Sequence, residues 1–402
     1  MGNLNPNYYN KFQCLGSECI ETCCQGWNID VDHNSHFKLH DLSRKYGEKI
    51  EKFLTKSTNP THDKFSYINM KKNGFCPFLD KNKLCGIQKK YGENYLPETC
   101  KNFPRRKVNF DTIQIKTLSL ACPEVARLCL TQKDSMKVFL NEKKEVNFFK
   151  IVPNHLHNSY TRVGEQLFNR IYNLFKKKKL HIPNLLFICE SILNEQKNLE
   201  VNPDKIDSVL DFLVNQFKKL DFLNFDRSTL KLNFLNDLNI FFQKTLPESS
   251  LSGILSKTQN ELVEKFSNLE EASNNFKIIN KMKYENFEKK NYRIFRNYFL
   301  NEILGHAQIF TNQTPNCRNR FYLTILCAIV SKIITIGNIS ENPNKNHKED
   351  ILINSIQKVA KNFSAFINVD ENQEYKFDPE ICAMLEKIDK NNIFNALFLL
   401  FD

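Results

Sequence analysis

The chain has 402 residues, 41% of them apolar and 25% charged, with a formal net charge of +12. That is enough apolar sequence to bury a sizeable core, and it fits a soluble globular protein of one large or two ordinary domains. The basic balance would suit nucleic acid, an acidic protein or anionic lipid. The lysines are scattered, however, and the tightest run, Lys176–Lys179, reads as a solvated helix end, so nucleic-acid binding is not expected.

Met1–Lys11 is polar and lacks the apolar run of a signal peptide, and Pro6 stands where an acylation signal needs Ser or Thr. A cytoplasmic protein is expected. Asp30, Asp32 and His33 look like a helix start, and a helix is predicted over Asp32–Thr55. Turn chemistry is dense up to about residue 104, at Asn73-Gly74, Cys76-Pro77, Leu96-Pro97 and Phe103-Pro104. Thr112–Leu120 alternates like a strand.

From Pro123 the pattern becomes helical, beginning with Glu124–Leu140. Three- and four-residue spacing then predicts helices over Tyr160–Phe175, Asn184–Glu195, Ile206–Leu220, Thr229–Leu246, Glu261–Phe276, Tyr292–Phe310, Phe321–Ile336, Asp350–Phe366 and Pro379–Phe401. Phe321–Gly337 is the most apolar stretch. It is short for a membrane span and carries Lys332, so a buried helix is expected and no membrane partner. Asn338–Lys348 reads as an exposed loop. The resulting fold class is mainly α. An irregular Cys-rich module with little β, residues 1–130, precedes an all-α helical domain, residues 131–402.

Nine of the 13 cysteines lie between Cys14 and Cys129. One block is Cys14-Leu-Gly-Ser-Glu-Cys19-Ile-Glu-Thr-Cys23-Cys24-Gln-Gly-Trp27. A second runs through Cys76-Pro-Phe-Leu-Asp80, Leu84-Cys85-Gly-Ile, and Leu96-Pro-Glu-Thr-Cys100 to Phe103-Pro-Arg105, and Cys122-Pro123 follows. With no secretion signal a disulfide framework is not expected, and clustered thiols in a reducing compartment point to metal. The expected ligands are Cys14, Cys19, Cys23, Cys24, Cys76, Cys85, Cys100 and Cys122. Gly16, Gly26, Gly74 and Gly86 beside them can supply tight turns and backbone N–H groups. Zinc folds favour Cys-x-x-Cys knuckles, which are missing here, so the spacing suits an iron–sulfur cluster better, with zinc as the alternative. Cys189, Cys317, Cys327 and Cys382 read as isolated core thiols, and Cys129 stays open.

The order of these motifs resembles the flagellin lysine-N-methylase (FliB) family and, more broadly, the YkgJ-type cysteine-cluster proteins. The similar features run from Phe12 to Arg127 and include Cys-Pro-Glu-Val-Ala-Arg at Cys122–Arg127. The resemblance implies a protein-lysine N-methyltransferase that moves methyl from S-adenosylmethionine to flagellin, with an iron–sulfur centre, 4Fe-4S by type, at the eight matching cysteines; eight thiolates exceed the four that one centre needs, so either two centres exist or some of the cysteines are redox or supporting partners. A noncatalytic iron–sulfur or zinc module with a helical interaction domain is the alternative.

N-methylation needs a neutral amine in line with a sulfonium methyl, and a site that takes or repels the amine proton. Cys19-x3-Cys23 begins a radical-type Cys-x3-Cys-x2-Cys loop, but Gly26 stands at the third position. The Gly-rich turn of a doubly wound nucleotide fold is missing too, so a nonstandard donor site is expected. Arg105 is the candidate donor-binding residue, within the basic run Arg105, Arg106 and Lys107. Trp27 could stack on a ligand or act as a packing wedge. Glu98 and Glu124 are conceivable proton acceptors, with a turn and a helix first turn as their more ordinary roles. The catalytic base stays unknown. His155 and His157 are not expected to be ligands.

Overall fold

In a computed structural model the described residues are 2–27, 29–47, 49–110, 113–141, 144–145, 159–176, 180–201, 205–217, 228–245, 250–281, 285–307, 315–341, 348–364, 367–369, 375–377, 379 and 381–382. The chain opens with strand β1 (Gly2–Pro6) and helix α1 (Asn7–Lys11). The cysteine loop leads to β2 (Asp30–Val31), α2 (His33–Tyr46), β3 (Leu54–Lys56) and β4 (Ser66–Ile68). Then come α3 (Gly86–Tyr91), α4 (Glu98–Asn102), β5 (Arg105–Phe110), β6 (Ile113–Leu118), α5 (Pro123–Thr131), β7 (Val138–Leu140) and β8 (Lys144–Glu145).

Helices follow: α6 (Ser159–Lys176), α7 (Ile182–Val201), α8 (Ile206–Phe217), α9 (Ser228–Thr245), α10 (Ser250–Gln259), α11 (Leu269–Ile279), α12 (Glu285–Gly305), α13 (Pro315–Glu341) and α14 (Lys348–Phe363). The hairpin β9 (Ile367–Val369) and β10 (Tyr375–Phe377) comes after them. The protein is mainly α.

Local chemistry explains where several elements stop. Asp32 caps α2, its carboxylate accepting the Ser35 N–H at 2.9 Å, as a helix-start residue should. The helix ends at Tyr46, short of Thr55, because Gly47 takes the left-handed conformation (φ 65°) that terminates helices. Helix α5 stops at Thr131 rather than Leu140. The buried Asn297 amide donates to the carbonyls of Cys129, Leu130 and Gln132 at 3.0, 3.3 and 3.4 Å and so caps the helix end from outside. The chain then turns into β7.

Expected helices and observed ones otherwise largely coincide, but residues 131–402 are not all-α as expected: β7 and β8 extend the sheet begun by β1, whose edge needs a partner, and β9 and β10 form a hairpin. Ile113–Leu118 is the anticipated strand. The stretch Glu261–Phe276 divides into a π-turn, Asn260–Glu264, and α11, while α10 comes from sequence not expected to be helical. Helix α13 runs on to Glu341, into the expected loop, whose residues 342–347 lie outside the described set. So do His155, His157, Lys177 to Lys179, the Cys317 side chain and most of Pro379–Phe401.

The five-stranded sheet has the order β5-β6-β1-β7-β8, with β1 parallel to β6 and antiparallel to β7. One apolar core joins this sheet to the helices, from Leu4, Ile115 and Val138 to Phe299, Ile329 and Ile356. A second, smaller core gathers Ile29, Val31, Leu39, Ile68, Cys76, Ile87 and Leu96 around the three-stranded sheet β2-β4-β3. Asn319–Ile339 is the one described helical segment long and apolar enough to cross a membrane, with mean hydropathy 1.8, yet 94% of it is buried against the rest of the chain. A helix that is apolar all round and enclosed by protein is a core helix.

Candidate functional site

The two cysteine blocks are joined by backbone pairing. Cys76 N–H donates to Cys24 O at 2.8 Å, Gly26 N–H to Gly74 O at 3.1 Å, and Gln25 bridges Phe75. A bridge between Leu79 and Cys85, with Gly86 N–H on Phe78 O at 2.8 Å, folds Cys85 back toward Cys76. Cys85 and Cys122 occupy the N-cap positions of α3 and α5, and Cys100 lies within α4. All of the described cysteines are free thiols.

One sulfur accepts a backbone hydrogen bond, and backbone N–H groups just after four others pull those thiols downward. Gly16 N–H reaches Cys14 Sγ at 3.5 Å. Glu21 serves Cys19, Phe78 serves Cys76, Ile87 and Gln88 serve Cys85, and Glu124 and Val125 serve Cys122. Such donors stabilise sulfur as an anion, the form that binds metal. Cys23, Cys24 and Cys76 act on one another's titration.

Mutual influence sorts the thiols into two neighbourhoods. Cys24 is pushed up to about 12: its bond from Cys23 lowers it, but the bond to Cys76, burial, and the charges of Cys76 and Cys85 outweigh that. Cys100 is raised by burial and then by Cys24, Cys85 and Cys23. Cys122 is pushed up to about 12 by burial, against its two N–H donors, with Cys19 and Cys14 adding to the rise. Cys19 is raised by burial, and Cys14 and Cys23 act on it in the same direction. So Cys23, Cys24, Cys76, Cys85 and Cys100 form one group, Cys14, Cys19 and Cys122 another, and Cys23 touches both.

Seven of the eight line one cleft of ≈ 1080 Å³, with Cys76 buried outside its lining. That volume reaches the upper end of small-molecule sites. Among the described residues, no three His, Cys, Asp or Glu side chains stand close enough to hold a single metal ion. The remaining described thiols are elsewhere. Cys129 is buried with its sulfur 3.8 Å from Met136 Sδ, Cys189 and Cys327 sit in the helical core, and Cys382 contacts Asn319.

The basic run is divided by its surroundings. Arg105 is exposed at the cleft, its guanidinium 5.8 Å from the Phe12 ring. Arg106 also lines the cleft but turns to Ser119 Oγ (3.1 Å) and to the buried carboxylate of Glu302 (3.2 Å). Lys107 lines a separate depression with Asp32 and Glu98. Trp27 lines the thiol cleft, packed 5.4 Å from Phe103 and donating its indole N–H to Cys23 O at 2.6 Å.

Glu98 and Glu124, conceivable proton acceptors, both lie outside the cleft lining and sit in the first turns of α4 and α5, the more ordinary kind of role. Glu98 faces the Lys107 depression and accepts from Asn102, and Glu124 is held by Arg127 through bonds of 2.6 and 2.8 Å. The cleft carboxylates are Glu21, Asp30 and Glu93. The sequence reading also missed Lys361 and Ser364, which bring the α14 end into the cleft wall. Nothing in the periodicity of α14 separates Lys361 from its solvent-facing neighbours.

No family model matches the chain, and no solved structure matches it. It is 31% identical over 169 residues to the flagellar biosynthetic protein FliU of Salmonella muenchen, a match covering 38% of this chain and 90% of that protein. It is 33% identical over 141 residues to the lysine-N-methylase of Salmonella typhimurium, covering 34% of each chain. The lysine-N-methylase of Salmonella choleraesuis matches to the same extent. The match thus spans about a third of the length of the two lysine-N-methylases.

Proposed function

Because the chain belongs to the family of the flagellar biosynthetic protein FliU, we propose that it transfers a methyl group to lysine ε-amines of a protein, with the thiol-lined cleft as the reaction site. The observation that carries this reading is the cleft itself: seven free thiols in one concavity, beside an aromatic wall and a basic rim. The names of two relatives support lysine as the acceptor group, and the flagellar name of FliU is consistent with flagellin as the acceptor protein. S-adenosylmethionine is the donor in this proposal. Free thiols agree with a reducing, cytoplasmic setting.

Cysteines from this set of eight would hold an iron–sulfur centre, 4Fe-4S by type; such a centre takes four thiolates, so the eight would serve two centres or include residues that stand beside the ligands. The Gly16 N–H on Cys14 Sγ, and the backbone N–H groups that pull Cys19, Cys76, Cys85 and Cys122 downward, favour the anionic form a ligand needs. The preference for iron–sulfur over zinc rests on the lack of paired Cys-x-x-Cys knuckles. When bound, such a centre ties the separated segments together and can take up an electron.

The chain's own residues then have definable work. Trp27, Phe103 and Phe12 exclude water from one wall and present π faces to a cationic sulfonium or ammonium. Arg105 at the rim offers a charged donor to the donor's carboxylate. The amine proton is lost to water or to a wall carboxylate, Asp30 and Glu93 among them.

The test is transfer of labelled methyl from S-adenosylmethionine to purified flagellin by anaerobically prepared protein. Label on flagellin lysines is the expected result. Unlabelled flagellin from a protein with full metal content would leave a noncatalytic iron–sulfur or zinc module with a helical interaction domain. The visible absorbance of the same sample separates iron–sulfur from colourless zinc.

A further inference from the structure

Helix α14 reaches the cysteine loops through two residues one turn apart. Gln357 Nε2 donates to Ala121 O at 2.8 Å and to Glu21 Oε2 at 3.3 Å. Lys361 Nζ donates to the same Glu21 oxygen at 3.3 Å and to Thr22 O at 3.2 Å. Ala121 immediately precedes Cys122, while Glu21 and Thr22 lie between Cys19 and Cys23. Gln357 is buried, and the Lys361 side chain is 13% exposed. The lysine stem also passes over Gly26, where an added Cβ would meet Lys361 Cε at 3.8 Å.

These contacts have a direction. Ala121 O and Thr22 O are backbone acceptors in irregular segments, where the helical and sheet ladders supply no partner. Each is satisfied instead from one helix that packs into the main core through Leu352, Ile356 and Val359. The Cys19–Cys23 segment and the Cys122 turn are therefore fixed relative to each other by a rigid third body. The ammonium also faces a cleft wall shared with Cys14, Cys19 and Cys122.

We infer that Gln357 and Lys361 are positioning residues for the sulfur site, clamping the Cys19–Cys23 loop and the Cys122 turn at one spacing through Glu21, Thr22 O and Ala121 O, with Lys361 supplying a cation that offsets thiolate charge. This rests on the reading of the thiols as metal ligands. Partners of ligand-bearing segments set affinity without touching the metal, and losing one costs roughly 10- to 100-fold in binding.

The test uses the full chain as wild type, Gln357→Leu, Lys361→Gln and Lys361→Arg, loaded anaerobically with ferrous iron and sulfide. The first two substitutions are expected to lower metal affinity roughly 10- to 100-fold and to change the visible absorbance band. Lys361→Arg, which keeps charge and donors, restores most of both. The metal-free proteins are pulsed in parallel with iodoacetamide, and alkylation of Cys19 and Cys122 is read by peptide mass spectrometry; it should be several-fold faster in the first two. Wild-type metal affinity and wild-type alkylation in folded Gln357→Leu and Lys361→Gln overturn the clamp. A wild-type chain that takes up no iron overturns the metal reading instead, and the alkylation rates still decide the clamp. Glu21→Gln, a loop substitution of the same size, carries the same test should Gln357→Leu fail to fold.

Discussion

Arg106 on β5 and Glu302 on α12, 196 residues apart in sequence, meet at 3.2 Å behind the wall of the thiol cleft. Arg320 Nη2 reaches the other Glu302 oxygen at 2.6 Å, and the Glu302 and Arg320 side chains are each 6% exposed. Burial would raise the Glu302 carboxyl, but Arg106, with Arg320 beside it, holds it well below the usual carboxylate range. Replacing the carboxylate leaves two guanidinium groups facing each other in the interior. Glu302→Gln should therefore destabilise the protein by about 3–5 kcal/mol, read from urea unfolding; a loss within error of zero would mean the pair is solvated.

His306 gives the same cluster a pH dependence. Arg320 Nη2 and Arg106 Nη1 approach its Nε2 at 2.7 and 3.1 Å, and a guanidinium only donates, so Nε2 accepts and the ring is neutral. Burial and the Arg320 charge lead in pushing its pKa from 6.5 to about 3. Below 6.5 the unfolded chain takes a proton that the folded one refuses. This contribution is whole above that pH and is lost as pH falls toward 3, by about 1.4 kcal/mol per pH unit. His306→Gln should flatten the stability profile between those limits. An unchanged slope would assign the acid sensitivity to other groups.

If the cleft thiols bind iron as proposed, metal content will separate them from the core thiols. Cys85→Ala and Cys122→Ala each remove a sulfur that backbone N–H groups hold. Both should lower bound iron per chain, measured by elemental analysis after anaerobic purification. Cys327→Ala, deep in the helical core, should keep wild-type iron while losing some stability. Equal iron in all three would remove the cleft from the metal assignment.

Gly305 lets α12 lie against the sheet. A Cβ there would fall 2.8 Å from Thr117 Oγ1, a buried hydroxyl without a hydrogen-bond partner. Gly305→Ala should cost about 1–3 kcal/mol through overpacking, and adding Thr117→Ala should recover much of it. Additive losses in a double-mutant cycle would show that the two positions do not collide.

Asp32 does more than start α2: its second oxygen accepts the Glu98 N–H at 3.0 Å, tying the starts of α2 and α4 together. Asp32→Ala should lose about 0.5–2 kcal/mol from the cap, seen as a lower thermal midpoint, whereas Asp32→Asn keeps most of it. Equal midpoints for the two variants would argue against the carbonyl-type acceptor role.

Local chemistry was legible in the sequence where it acts locally. The Asp32 cap, the Ile113–Leu118 alternation and the Pro123 helix start each follow from a few neighbouring residues. The thiols were conspicuous because Cys is rare and here it is bunched. What stayed hidden depends on remote partners. The end of α5 is set by Asn297, the central place of β1 by strands more than a hundred residues later, and the cleft wall by Gln357 and Lys361. Glu302, Arg320 and His306 sit on ordinary helical patterns, where a buried charge looks the same as a solvated one until its partner arrives.

The bond from Gln357 to Ala121 spans 236 residues. At ordinary ribosomal speed that stretch takes roughly ten to fifty seconds to make. During that interval the cysteine loops exist without the helix that will brace them, open to oxidants and to whatever ions the cell supplies. A nascent chain halted before α14 carries all eight cysteines of the cleft region yet never acquires their brace.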